Sequence, residues 1–433
     1  MRTTKTHRAR EAVRALRHRN YRVYYFGMLV SFTGTWMQSV AQSWLVYRMT
    51  GSPWLLGLVG FASQAPVFLL APLGGVLADR HSRLRIIILT QTLAMVQALI
   101  LAALTLSNRV TVASIVVLAL TLGAINSFDL PARQSFMIEL VGREDLMNAI
   151  SLNSSMIQGS RVAGPAVAGL LVGWLGEGPC FLINGLSYVA VIAGLLTIRV
   201  GGDGQRQAEG SALANLRDGF NYVRRTRTVR ALLLLVAFVS IFGLPYTVLM
   251  PIFASDVLGG GPRALGLLLC ATGVGALAGA LTLAARKSVQ GLGRVVAFSA
   301  ASFGFLLMLF SLSHDLALSA VLLFPIGFCV LVQMSASNTL VQMIVPDQMR
   351  GRLMSFYAMS LMGMAPFGSL LAGAITVRAG APRTVAFGGA LCLIAAIVFW
   401  FRLPSLRHEA LPHLIAHRTL PIEPSEADPG RSA

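Results

Sequence analysis

Residues Ala231 to Phe253 read ALLLLVAFVSIFGLPYTVLMPIF, 23 positions without a charge. The apolar residues are consecutive. They therefore cover every side of a helix, and they neither alternate as in a half-buried strand nor mark a single stripe. A helix of this length is about 35 Å long, enough to cross a hydrocarbon core of about 30 Å. Six comparable stretches precede it: Val23–Tyr47, Trp54–Ala78, Leu84–Leu106, Thr111–Leu140, Met147–Leu175 and Phe181–Ile198. Five follow: Ala264–Ala285, Val295–Leu312, Leu316–Val345, Leu353–Val377 and Thr384–Leu403. With 55% hydrophobic and 12% charged residues, the chain cannot present the polar surface of a soluble globule. Lipid leaves unpaired backbone groups unsatisfied, so continuous spans this apolar are helices. The predicted class is an all-α membrane protein of twelve transmembrane helices.

Charge predicts the orientation. The chain carries 35 Lys and Arg against 17 Asp and Glu. If the start of the chain is cytoplasmic, 28 basic residues fall on the inner side and five on the outer: Arg48, Arg109, Arg263, Arg378 and Arg383. The remaining two, Arg133 and Arg161, lie within spans. That asymmetry is the positive-inside pattern and places both termini in the cytoplasm. The basic pI of about 11.1 then reports topology and contact with anionic lipid, with no nucleic-acid partner implied. Residues 1–22 read as a basic segment, in which Ala9, Ala12, Val13 and Leu16 suit an interfacial helix, and not as a cleaved leader. Cys180, Cys270, Cys329 and Cys392 form no metal or redox pattern and read as small apolar fillers.

Shifting the sequence by 204 residues superposes Gly57 on Gly261, Gly75 on Gly279, Gly123 on Gly327, Gly159 on Gly363, Gly164 on Gly368 and Gly169 on Gly373. Shared small residues imply shared helix packing. The predicted organisation is two pseudo-symmetric six-helix bundles, residues 23–198 and 231–403, with a substrate site near the midplane between them. The linker 199–230 opens on a Gly-rich hinge over 201–210. It continues as a basic amphipathic helix over Ser211–Arg227, with Leu213, Leu216, Phe220 and Val223 on one face. Residues 404–433 read as a disordered cytoplasmic tail.

Between the second and third spans, Gly75-Val-Leu-Ala-Asp79-Arg80-His-Ser-Arg83 resembles the signature loop of the major facilitator superfamily. Ser82 and Leu84 depart from that pattern. Several segments resemble the bacterial drug- and siderophore-exporter branch that includes enterobactin exporters: Asn20-Tyr-Arg, Gly34-Thr-Trp-Met-Gln38, Thr50-Gly-Ser-Pro53, Asp129-Leu-Pro-Ala-Arg133-Gln134 and Leu146-Met-Asn-Ala149. The resemblance implies the major facilitator fold. It also implies a latch in which Asp79, flanked by Gly75, Arg80 and Arg83, meets the start of the eleventh span near Arg352. Gly159-Ser-Arg-Val-Ala-Gly164-Pro165-Ala-Val-Ala-Gly169 resembles the glycine–proline motif of antiporters, without its terminal Gly-Gly. It reads either as a packing interface or as a bend that seals against leak.

Asp129 is the only acid well inside a span. A charge at the bilayer centre costs about 2.5–3.5 kcal/mol on insertion scales, so Asp129, Arg133 and Arg161 need partners or a purpose. Helix depth makes Asp129–Arg161 a feasible pair on neighbouring helices, and Arg133, one turn away, can pair as well. Two readings stay open: a closed network fixing helix packing, or a proton switch in which protonation of Asp129 releases an arginine. Candidate cavity residues in the first half are Trp36, Gln38, Gln42, Gln64, Asn153 and Gln158. In the second half they are Tyr246, Gln333, Asn338 and Tyr357.

Neither lysine, Lys5 or Lys287, follows a glycine as a phosphate loop requires, and all seven histidines lie outside the spans. The expectation is therefore no enzyme, no cofactor and no metal, with an ion gradient as the energy source. The leading function is a proton-coupled exporter of small amphipathic molecules such as drugs or siderophores, working by alternating access as a monomer in a bacterial inner membrane. An uptake symporter is the rival, and a non-transporting receptor or lipid scramblase a more distant one.

Overall fold

The computed structural model describes residues 13–198, 212–286 and 290–419. The expectations for residues 1–12, for the 201–210 hinge and for 420–433 lie outside them. All regular structure among the described residues is helical. A short 3-10 turn, Arg14–Arg17, leads into α1 (Arg19–Thr50), α2 (Pro53–Arg80), α3 (Arg83–Leu106), α4 (Val112–Val141), α5 (Leu146–Leu175) and α6 (Glu177–Leu196). The linker helix α7 (Ala212–Arg225) follows, close to the predicted amphipathic segment. Then come α8 (Arg227–Val257), α9 (Gly261–Ala284), α10 (Leu292–Ser311), α11 (Leu316–Ile344), α12 (Met349–Ala379) and α13 (Ala381–Thr419).

Ten of these are long and apolar enough to cross a membrane. The helices α1 and α5, of 32 and 30 residues, are long enough but fall outside that set. Both carry polar residues along their length: Gln38 and Gln42 on α1, Asn153, Gln158 and Arg161 on α5. The last helix runs on to Thr419, through the first part of the segment predicted to be disordered. Extending an existing helix avoids the cost of nucleation, so helix formers such as Leu406, Glu409, Ala410 and Leu411 continue it even past Pro412.

Helix ends are written into the turns. Thr111 and Ser114 form a capping box at the start of α4, and the Asp315 carboxylate accepts from the Leu318 N–H at 2.7 Å to start α11. Gly51, with φ of 58°, closes α1 in the left-handed conformation that a Cβ disfavours.

The turns define two faces. The 3-10 turn, the linker helix and the start of α12 share one, called here the terminal face; the α1–α2 turn at Gly51 and the α8–α9 turn at Gly259 share the other, the distal face. The halves meet through α2 against α12 and α5 against α9. Both crossings depend on glycine. A Cβ on Gly57 would lie 2.6 Å from the Ser369 carbonyl oxygen and 3.1 Å from the Gly373 Cα, and one on Gly169 would lie 2.8 Å from the Gly266 Cα. Gly164 and Gly368, superposed by the 204-residue shift, each pack against the first helix of their own half, on Trp36 and Ile241 respectively. The superposition of Gly57 on Gly261 has no such counterpart, because Gly261 serves a helix start with φ of 65°.

One apolar core joins both halves on the distal side, from Leu45 and Phe181 to Phe253 and Phe310. Toward the terminal face the cores separate: Tyr21, Met28 and Phe136 belong to the first half, Leu232, Val296 and Phe399 to the second. The molecule is closed distally and parted on the terminal side.

Candidate functional site

The deepest charges sit in the first half. Pro131 lies within α4 between Asp129 and Arg133, which the helical repeat sets on one face. Asp129 is 2% exposed. Arg133 Nε stands 2.7 Å from its Oδ2, a charge contact in which the N–H is not aligned for a hydrogen bond. From α3, Thr90 Oγ1 donates to Oδ1 at 2.8 Å and Gln91 Nε2 at 3.2 Å. The Arg133 guanidinium carbon lies 4.6 Å from the centre of the Phe32 ring. Thr90 and Gln91 escaped the sequence reading, although two adjacent polar residues in an apolar span were the available signal.

The feasible Asp129–Arg161 pair does not form. The helices α4 and α5 are consecutive in sequence but are not close partners: α4 packs on α2 and α3, while α5 packs on α1 and α9. Arg133 is already placed by its own helix. Arg161 instead lies over the Trp36 ring, 5.6 Å from its centre, and has no ion pair among the described residues. In the second half the corresponding positions repeat the spacing without charge: Gln333 Nε2 donates to Ser337 Oγ at 3.4 Å.

At the terminal face Asp79 is exposed and makes no ion pair or side-chain hydrogen bond among the described residues. Arg83 pairs with Glu139 at the end of α4, inside its own half. Arg352 pairs with Asp218 of the linker helix at 2.9 Å, and Gly219 lets that helix lie against Phe356. The expected contact between Asp79 and the start of α12 is not made in this structure. Gly75 faces open space, as does Gly159, whereas Gly164 and Gly169 make the close approaches. Pro165 is buried within a continuous α5.

The candidate cavity residues divide. Gln38 accepts from Asn184 at 2.7 Å and donates to Gln97 at 3.2 Å, a buried amide chain within the first half. Tyr357 donates to the Met334 carbonyl at 2.6 Å, inside the second half. Gln333 is also buried. These three secure their own bundles and do not line the gap. Gln42 is buried, Gln64 reaches back to the Gly60 carbonyl, and Asn338 accepts from Gln342. Trp36, Asn153 and Gln158 are partly exposed, and Tyr246 is buried beside Phe303 with its hydroxyl unpartnered. Unforeseen were three π-helical turns, Val239–Gly243 and Phe253–Val257 in α8 and Met359–Gly363 in α12. Such turns loosen a helix locally and recur at functional sites.

Distally, Tyr47 donates to Asp256 across the halves, and Arg48 grips Glu177 with Nε and Nη2 at 2.7 and 3.1 Å. Arg263 of α9 lies over Trp174 of α5.

This two-part helical body, parted at one face, has known relatives. The staphyloferrin A transporter of Staphylococcus aureus is 25% identical over 383 residues, covering 87% of this chain and 95% of that one. The enterobactin exporter EntS of Escherichia coli is 25% identical, covering 90% and 93%. A crystal structure of the nucleoside transporter NupG superposes with a TM-score of 0.70 at 15% identity, over 89% of this chain and 99% of that one. Residues 11–423 match the transmembrane secretion effector family, and the chain belongs to it, as a transporter of the major facilitator type and not an enzyme.

Proposed function

We propose that the protein is a proton-coupled exporter of small amphipathic molecules, siderophores and drugs among them, working by alternating access. The observation that carries this reading is the gap between the halves, closed distally by glycine crossings and parted terminally. Rocking about the α2–α12 and α5–α9 contacts would expose the same gap to the opposite side. Twelve spans in two bundles follow once α1 and α5, each long enough to cross and polar along its length, are counted. The charge asymmetry supports a bacterial inner membrane with the terminal face cytoplasmic, which makes this state inward-facing. The transporter would work as a monomer among membrane lipids, without a cofactor.

In this reading Asp129 is the proton acceptor, and Arg133 is the partner released on protonation. Both sit in one half, so rocking alone does not part them, and the trigger would be a change in water access to α4. The test is transport of a compound panel in proteoliposomes under an imposed pH gradient. Accumulation driven by the gradient and abolished by a protonophore supports the proposal. Accumulation indifferent to the pH gradient sinks proton coupling, and movement only with the proton sinks export in favour of uptake.

A further inference from the structure

Arg161 is a half-buried cation in the middle of α5, and no acid pairs with it among the described residues. Asp129 is committed to Arg133, Thr90 and Gln91, and Asp256 to Tyr47. The Trp36 ring offsets part of the cost of burying the charge, but it supplies no counter-charge. Two more polar groups near Arg161 lack partners. Gln158 lies three residues earlier, on the same side of α5, and its Nε2 is buried without a hydrogen bond. Tyr246 comes from α8 in the other half, is 2% exposed, and its hydroxyl is likewise unpartnered. It sits beside the Thr272 hydroxyl, which donates to the Leu268 carbonyl and could accept from Tyr246, although the two do not form a well-aligned hydrogen bond. The next residue, Gly273, packs on the Arg161 backbone: a Cβ there would be 2.9 Å from the Arg161 carbonyl oxygen.

A guanidinium, an amide N–H and a phenol O–H are three donors gathered from both halves. The amide and the phenol are buried donors without a well-formed acceptor, which is costly, and the half-buried guanidinium lacks a counter-charge; an anion answers all three together. A planar guanidinium fork matches a carboxylate in two parallel hydrogen bonds. The flat face of Trp36 offers an apolar neighbour to the rest of such a molecule. We infer that Arg161, Gln158 and Tyr246 form a carboxylate subsite, so that the preferred substrates are amphipathic carboxylates. This deepens the exporter reading and rests on it only for the direction of movement.

The test is equilibrium binding of 1-pyrenebutyrate and of its primary amide to the purified full-length protein in lipid nanodiscs, read by fluorescence polarisation. The carboxylate is expected to bind about ten-fold tighter than the amide, the margin of a hydrogen-bonded charge pair. Arg161→Gln should erase the preference while leaving amide binding in place, and Tyr246→Phe should narrow it several-fold. Equal affinities in the parent protein, no carboxylate binding, or a preference that survives Arg161→Gln would overturn the subsite. Because binding needs no gradient, this outcome is separate from the transport assay: a protein that prefers the carboxylate yet fails to accumulate substrate refutes export alone.

Discussion

The Tyr47 hydroxyl donates a hydrogen bond to the Asp256 carboxylate across the divide between the two halves. The bond lies at the distal end of α1 and α8, where the halves share their one common core. It exists only while the distal side is closed. Tyr47→Phe removes a hydrogen bond to a carboxylate, worth about 1.5–3 kcal/mol, without changing the ring. The distally open population should rise about ten-fold or more. Spin labels at Ser107 and His314, both exposed on distal turns of opposite halves, would read this as a longer distance. An unaltered distribution would leave the seal to the glycine crossings alone.

Asp129→Asn keeps an acceptor for Thr90 and Gln91 but strands the Arg133 charge. Leaving a buried partner uncompensated costs about 3–5 kcal/mol, so thermal unfolding should occur at lower temperature. The double variant Asp129→Asn/Arg133→Gln should recover most of that loss. If Asp129 carries the proton, both variants lose gradient-driven accumulation while substrate exchange persists. Recovered accumulation in the double variant would mark the pair as packing only.

Asp79 and Asp218 are expected to act in opposite directions. Asp218 holds Arg352 while the terminal side is parted, and Asp79 is proposed to meet that end of α12 when it closes. Asp79→Asn should raise labelling of a cysteine at Ser155, and Asp218→Asn should lower it. These are surface ion pairs worth about 0.2–1 kcal/mol, so each shift should be about two- to five-fold. Equal shifts in one direction would break the competition.

His18 and Arg14 both hydrogen-bond the Asp145 carboxylate at the terminal face and hold its pKa below the usual carboxyl range. A lowered folded-state pKa means the contact is fully present above the unfolded value, about 3.9, and is lost as pH falls through the lowered one. A spin label at Val13 should therefore stay immobile at neutral and mildly acid pH and loosen only below about pH 4. In Asp145→Asn the label should be mobile throughout, with no acid transition.

Much of the fold was legible because the bilayer imposes it. Helix ends and the linker helix follow from residue type and spacing; the repeat marked Gly57, Gly169 and Gly373 as packing positions, but that Gly57 crosses Gly373 and Gly169 crosses Gly266 came from the structure. The charge cluster was half legible. A four-residue separation already joined Asp129 to Arg133, but the proposed Arg161 partner assumed that sequence neighbours α4 and α5 pack together, and helix order does not determine that. Gln38 and Tyr357 looked like cavity residues because amides and phenols are rare in lipid. In the structure Gln38 is satisfied by Asn184 and Gln97 and Tyr357 by the Met334 carbonyl, a distinction visible only when facing helices are known.

The π-helical turn at Met359–Gly363 has a further effect on the internal repeat. A turn of that kind takes in one residue more than an α-turn, which swings the helix on its far side by about 100°. Gly368 and Gly373, beyond it, stay in phase with Gly164 and Gly169. Tyr357, before it, does not: its counterpart Asn153 is partly exposed near the gap, while Tyr357 turns into its own bundle. The two halves thus came to differ by a twist of backbone as well as by substitution. Mapping effects between α5 and α12 by adding 204 should hold on the distal side of that turn and fail on the terminal side.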